Sequence, residues 1–451
     1  MTKPPRLPRR CGNRQPWPTW QFSKFYSTIF HIDVRSVHFL AKAPSQAACG
    51  RYGHFCWLSG WSVAIVFADI ANWLSVICEI TAGLGCTYAL AAAFTVGQFG
   101  RAAMMPATSY PAVTILKPLR GAEPRLSGNL SRLCTQDYPG PVQIVCGVAD
   151  PGDPAIATVR DLIAAFPDFD VRLVVSPRQH GANRKVSNLI NMLDEASHDV
   201  LVIADSDIVV ERDYLKAIAA SLGPPGVGIV TLLYGGIGAA GLWSTFAAAA
   251  IDYDFVPNAL VGLRLGLAKP CFGSTIAIRR DTLSAIGGFA AVADYLSDDY
   301  ALGTLVRGAG LSVAIPPYTV MHLCNERSLR TLFVHELRWA RTIRAVDPAG
   351  YAGLAITHAL PLALMGAVLG GMGVVPGIVI VAALVSRLAL QLMVDRVLRR
   401  RRRLFWGGPL RDLLSFAVFV ASFFGHEVEW AGRRYEVRAA ARIVDPDRRA
   451  P

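Results

Sequence analysis

The stretch Val200-Leu201-Val202-Ile203-Ala204-Asp205-Ser206-Asp207 constrains this chain more than any other. Five apolar residues without a break read as a strand buried on both faces, the kind found in parallel sheets. In open α/β sheets, ligands bind beyond the carboxyl ends of the strands, and Asp205 and Asp207 fall at such an end. Two carboxylates one residue apart can offer oxygens to a hard divalent cation, Mg²⁺ or Mn²⁺. Such a cation holds a diphosphate and neutralises it as it leaves. Taken alone, the triplet reads equally well as a turn that closes a strand. The rest of the chain has to separate the two readings.

Around the triplet, strands and helices alternate. Strands are expected at 113–116, 142–148, 171–175, 227–233, 272–280 and 312–315, and helices at 126–134, 155–165, 185–196 and 329–344. This alternation predicts βαβ units and a mostly parallel sheet over a domain at 107–349. A second strand also ends in an acid, Asp150, and turn preference explains one such ending better than two. A third acidic site, Asp298-Asp299, opens a helix behind Ser297. An N-cap and the helix dipole account for acids there without any catalytic role. The helix at 329–344 carries His335-Glu336-Leu337-Arg338-Trp339, and Lys117, Arg120 and Lys185 put positive charge near the strand ends.

Apolar segments flank this domain. Hydrophobic residues make up 53% of the 451 and charged ones 17%, below the roughly 25% charged of a soluble domain. A spanning helix needs about 20 apolar residues. The N-terminal membrane segment, 56–100, holds one clean span at 74–96, with 57–71 read as interfacial or marginal. The C-terminal membrane segments, 353–428, hold spans at 354–372 and 374–393. Residues 410–424, interrupted by Arg411 and Asp412, read as re-entrant or interfacial. Arg396 and Arg399 to Arg403 mark a cytoplasmic side. These features predict a multi-pass protein of an inner (cytoplasmic) membrane, its domain at 107–349 cytoplasmic, ending in a basic cytoplasmic tail at 429–451. The net charge of +12 lies beside apolar segments, which points to a membrane surface and away from a nucleic-acid partner. Nine scattered cysteines without a C-x-x-C pair imply neither a disulfide framework nor a zinc site. Residues 1–55 lack a signal-peptide core and read as a poorly ordered extension.

The ordered set of Asp150, Asp205-x-Asp207, Asp299 and Arg338-Trp339 resembles the inverting glycosyltransferases of family 2. Leu116-Lys117-Pro118-Leu119-Arg120-Gly121, Gln136-Asp137-Tyr138-Pro139, Asp153-Pro154-Ala155-Ile156, Lys185-Val186-Ser187-Asn188-Leu189 and Asp298-Asp299-Tyr300 look like its ceramide glucosyltransferase branch. Gly425-His426-Glu427-Val428-Glu429-Trp430 and the 329–344 helix look more like the bacterial hopanoid-biosynthesis subgroup. The resemblance implies an α/β domain of GT-A type, a UDP-sugar donor, a divalent metal (Mg or Mn) and a lipid acceptor. In the hopanoid subgroup the sugar is N-acetylglucosamine and the acceptor bacteriohopanetetrol; in the other it is glucose on ceramide. Carried over residue by residue, Asp150, Asp205, Lys117, Arg120 and Lys185 bind the donor. Asp205 and Asp207 hold the metal, and Asp299 is the base with Asp298 as its substitute. His335, Arg338 and Trp339 then clamp the diphosphate and acceptor. His335 stands where the wider family has glutamine or arginine, which leaves its role open. A processive polysaccharide synthase would need a polymer channel, for which three or four spans and an Arg-Trp motif without its glutamine argue poorly. A non-catalytic scaffold would have no use for the full set of carboxylates.

Overall fold

The computed structural model describes residues 58–399, 407–430 and 432–444. The expected extension at 1–55 and the arginines at 400–403 lie outside the described residues.

The strands that sequence patterning predicts form the centre of the molecule. A seven-stranded sheet contains β1 (Val113–Pro118), β2 (Val142–Val148), β3 (Asp170–Val175), β4 (Val200–Ala204), β6 (Val227–Thr231), β8 (Thr275–Arg279) and β9 (Ser312–Ala314), in the order β3-β2-β1-β4-β8-β6-β9. β5 (Ile208–Val209), β10 (Thr319–Cys324) and β7 (Leu233–Gly238) make a separate three-stranded sheet in the order β5-β10-β7. In the large sheet β1 pairs in parallel with β2 and β4, β2 with β3, and β6 with β9. Only β8 runs against its neighbours, β4 and β6. The fold is therefore mixed α/β, GT-A-like, with a mostly parallel sheet. All five residues of β4 are buried, because apolar layers cover both of its faces. Val202 and Ala204 pack on one side with Leu130 and Val159, while Leu201 and Ile203 pack on the other with Leu189 and Leu302. An uninterrupted apolar run is what such a two-sided strand requires.

The predicted 227–233 strand divides at Leu232, so its two parts join different sheets. β10 was not predicted; it follows Pro316-Pro317, and its alternation of Val320, His322 and Cys324 is brief. A third sheet joins β11 (Glu427–Trp430), β12 (Arg433–Val437) and β13 (Ile443–Val444) in antiparallel pairs. It occupies residues that composition alone assigned to a basic tail.

Among the described residues, two helices are long and apolar enough to cross a membrane, Phe67–Phe99 and Val374–Val397. A third crossing arises if Pro348–Thr357 and Ala359–Gly370, which meet at 69°, count as one bent span. The first span belongs to one 42-residue helix, Leu58–Phe99. The described part of the segment expected at 57–71, from Leu58 on, thus continues the same helix, since Asp69 and Asn72 tolerate helical dihedrals and no proline intervenes. Small residues let the spans approach closely: a Cβ on Gly100 would lie 2.6 Å from a Val397 methyl. The Gly408–Ser422 helix is short, and its Arg411 and Asp412 are buried against protein.

Candidate active site

The chain reverses after β4 and brings four acids to one edge of the sheet. β8 is antiparallel to β4, with Thr275 opposite Ala204. The entry to β8 therefore lies beside the exit of β4, and the Asp205 N–H donates to the Ser274 carbonyl at 3.3 Å. Gly273 is the next residue back. A Cβ there would lie 3.0 Å from Asp299 Oδ2, so glycine leaves room for the carboxylate. Asp299 accepts from the Tyr300 N–H at 2.7 Å and from the Gly273 N–H. Burial and then the neighbouring Asp298 push its carboxyl up to about 7.

Lys185 joins the two acid sites. Its Nζ lies 2.6 Å from Asp205 Oδ1 and 4.0 Å from Asp298 Oδ2. Burial opposes its charge, but Asp205 and Asp298 outweigh that and hold its pKa above the ordinary lysine value. Asn183 caps the Arg184–Met192 helix by accepting from the Val186 N–H at 3.1 Å. Its Nδ2 donates to the Tyr295 carbonyl at 2.7 Å and to Asp298 Oδ1 at 3.3 Å. Asp298 is thus engaged structurally, whereas Asp299 faces the Gly273 loop. The two neighbouring acids therefore stand in different surroundings.

Lys117, expected to bind the donor, lies fully buried beneath the loop, and its Nζ donates to the Asp205 backbone carbonyl. Burial pulls its pKa below the ordinary lysine value. It supports the Asp205 loop from below. Asp150 is exposed at the end of β2, and its Oδ1 accepts from the Gly152 N–H at 2.9 Å. It stands two strands away from Asp205, outside the ion-paired cluster. Arg120 is exposed beside Gly121, whose N–H donates to both Asp153 oxygens at 2.9 Å.

Two residues that the sequence reading passed over sit next to the triplet. His322 reaches Asp207 because β10 pairs with β5: its Nδ1 is 3.3 Å from Asp207 Oδ2, and the Leu323 N–H donates to the Asp207 carbonyl at 2.9 Å. His322 Nε2 is buried without a hydrogen-bond partner among the described residues. Glu123 Oε1 accepts from Ser206 Oγ at 2.6 Å, and burial with Asp207 nearby pushes this carboxyl up to about 7. An acid in the loop after β1 carries no distinguishing signal in sequence; the histidine in the short run 319–324 was the stronger clue.

The Leu329–Val346 helix closes the site. A reciprocal capping box between Ser328 and Thr331 starts it. Arg338 is half-buried, and no hydrogen bond or ion pair engages its guanidinium among the described residues. Burial lowers its pKa to about 10, with Tyr234, Asp207 and Asp205 pulling the other way. A desolvated cation facing acids without being paired suits an incoming anion. His335 Nδ1 lies 2.5 Å from Glu326 Oε1, and its ring packs edge-on to Trp339 with centroids 4.7 Å apart. Glu326 thus holds the His335 ring that packs on Trp339.

No group of three or more His, Cys, Asp and Glu side chains in metal-binding geometry exists among the described residues. The donor set still fits a divalent cation. Asp205 is taken up by Lys185, while Asp207 and the buried His322, whose Nε2 has no hydrogen-bond partner among the described residues, offer an oxygen and a nitrogen side by side. An N/O pair is acceptable to Mn²⁺ and less so to Mg²⁺.

The chain is similar to several known proteins. A ceramide glucosyltransferase of Candida albicans is 33% identical over 124 residues, 25% of this chain and 23% of that protein. An N-acetylglucosaminyltransferase of Sinorhizobium fredii is 26% identical over 246 residues, 51% of this chain and 57% of that protein. The chain thus spans from a quarter to little more than half the length of these relatives. A mannosyltransferase of Pyrobaculum calidifontis, solved with GDP-Man and Mn2+, superposes with a TM-score of 0.44 at 20% identity, over 78% of this chain and 99% of that one. Residues 77–443 match glycosyl transferase family 21, a more specific assignment than the family-2 resemblance of the motifs. The chain belongs to glycosyl transferase family 21.

Proposed function

We propose that the chain is a membrane-bound inverting transferase that moves N-acetylglucosamine from a UDP donor to a lipid hydroxyl, with bacteriohopanetetrol as acceptor. The observation that carries the base assignment is Asp299, a carboxyl pushed up to about 7 beside the Gly273 loop and linked through Asp298 and Lys185 to Asp205. A base with a pKa near the working pH accepts a proton efficiently. Asp299 takes the proton of the acceptor hydroxyl as that oxygen attacks the anomeric carbon. The bond from that carbon to the diphosphate oxygen breaks, and UDP leaves from the opposite face with inversion. Arg338 and Lys185 meet the negative charge that develops on the diphosphate. A divalent cation held by Asp207 and His322, with Asp205 beside them, would supply further charge neutralisation there. Trp339 offers an aromatic face to the sugar or the acceptor. Asp150 and Arg120 are placed at the nucleoside end of the donor by the motif order alone.

The apolar helices on both sides of the domain support a lipid acceptor and a multi-pass inner-membrane location with the site cytoplasmic. The N-acetylglucosaminyltransferase among the relatives favours that sugar, and the ceramide glucosyltransferase favours the second reading, glucose transfer to ceramide. Membranes containing the chain are expected to transfer sugar from UDP-N-acetylglucosamine to bacteriohopanetetrol, and to lose this on EDTA treatment until Mn²⁺ is restored. Transfer only from UDP-glucose to ceramide selects the second reading, and a polymeric product rejects both.

The base also sets a pH dependence. Its folded pKa is raised, so the active, deprotonated form prevails above about 7 and is lost as pH falls through that value. The rate of the chemical step should rise about fivefold from pH 6 to 7, as a single ionisation centred near 7 requires. A flat profile across that interval would remove Asp299 from the role.

A further inference from the structure

We propose that the small sheet of β11, β12 and β13 positions the general base, an inference that rests on reading Asp299 as that base. The segment leading to Asp298 and Asp299 is added to this sheet as an extra edge. The Leu296 N–H donates to the Ala441 carbonyl at 2.9 Å, and the Ile443 N–H donates to the Asp294 carbonyl at 2.9 Å. Tyr295 and Arg442 form an antiparallel bridge between them. The Arg442 guanidinium lies 5.0 Å from the Tyr295 ring centroid, and its Nε donates to the Tyr295 hydroxyl at 2.9 Å. Leu296 shares a buried cluster with Val428, Tyr435, Val437 and Ile443.

The opposite side of the same segment is held from within the domain. The Asn183 N–H donates to the Ala293 carbonyl at 2.8 Å, and the Ala182 N–H donates to Asp294 Oδ1 at 2.8 Å. The base loop is therefore gripped between residues 182–183 and 441–443. The sheet also fastens the helix of Arg338 and Trp339. Arg344 Nη2 donates to the Gly425 carbonyl at 2.8 Å, and Arg341 donates to the carbonyls of Phe424 and Glu427. One element outside the donor site thus ties the proton acceptor to the cation that meets the leaving group. Their mutual placement matters because in-line attack requires both at once, and small displacements cost rate steeply. The contacts of this sheet with the base loop are made to residues 294–296, so its role is positioning.

The test uses the full chain in membranes with whichever donor and lipid pair proves active. In Arg442→Ala, kcat is expected to fall about tenfold, in line with a misplaced reacting group. The affinity for UDP and the melting temperature should stay at wild-type values. Tyr295→Phe removes only the hydroxyl and should lower kcat by a smaller factor. The double variant should be no slower than Arg442→Ala, because both changes remove one interaction. Arg442→Lys keeps a cation over the ring and should recover part of the rate. Should Arg442→Ala not fold, Tyr295→Phe and Arg442→Lys still carry the test. A wild-type kcat in Arg442→Ala overturns the proposal, as does a loss of kcat accompanied by an equal loss of UDP affinity. Failure of the base assignment is a separate result, read from retained turnover in Asp299→Asn.

Discussion

Asp299→Asn should lower kcat by about 10²–10⁴-fold, the usual worth of a positioned base. The affinity for UDP should hardly change, because Asp205, Lys185 and Arg338 surround the donor side of the site. Asparagine keeps the size of the side chain, and its one carbonyl oxygen can still accept from the Tyr300 N–H. It cannot accept the acceptor's proton, so the loss falls on the chemical step. Asp298→Asn should behave differently. Asp298 is buried, accepts from Asn183 Nδ2 at 3.3 Å and lies 4.0 Å from Lys185. Its replacement should weaken UDP binding along with turnover, through the loss of one partner of Lys185. Single-turnover rates and UDP titrations on the two variants separate these outcomes. If Asp298→Asn alone abolishes the chemical step with binding intact, the two roles are exchanged.

Arg411→Ala should destabilise the protein by about 3–5 kcal/mol, the cost of stranding a buried charge. Arg411 is 2% exposed and Glu336 9%. Arg411 Nη2 donates to Glu336 Oε2 at 2.7 Å and to Ser415 Oγ at 2.9 Å, and Ser415 Oγ donates to Asp254 Oδ2 at 2.6 Å. Arg387 continues the chain by donating to Asp412 at 2.8 Å and to Asp254. Glu336 lies between His335 and Arg338 on the closing helix, so this network docks that helix on the Gly408–Ser422 and Val374–Val397 helices. Removing Arg411 leaves Glu336 in a site that cannot solvate it. Replacing both partners by leucine should recover most of the loss, since an apolar pair leaves no charge unsatisfied. Denaturation in mild detergent measures both variants. Equal stability of Arg411→Ala and the native protein would mean that water reaches Glu336, contrary to its burial.

The strand that carries Asp205 and Asp207 was legible in the residue order. The continuous run 200–204 announced a strand covered on both faces, and the acids at its end had to emerge at the ligand-binding edge. The helices expected at 126–134 and 329–344 were equally local signals, and both are present. Other features depend on partners more than a hundred residues away. Lys117 looked like a donor ligand because it follows a strand, yet its side chain turns under the loop to the Asp205 carbonyl. His322 looked unremarkable because its meaning comes from Asp207, 115 residues earlier, through the pairing of β10 with β5. The run at 429–444 read as a basic tail because alternate exposed residues of β11 and β12 are charged, while the buried Val428, Tyr435 and Val437 are few.

The sequence by itself determined the alternation of strands and helices, the apolar flanks, and the order of acids and arginine that marks a glycosyltransferase. These follow from periodicity and local propensity, which act over a few residues. Tertiary structure alone decided what surrounds each of the two neighbouring carboxylates, Asp298 and Asp299. The antiparallel entry of β8 sets Gly273 against Asp299, and Lys185 and Asn183 occupy Asp298. Strand direction and neighbour order are set by the packing of the whole sheet, and no local pattern encodes them.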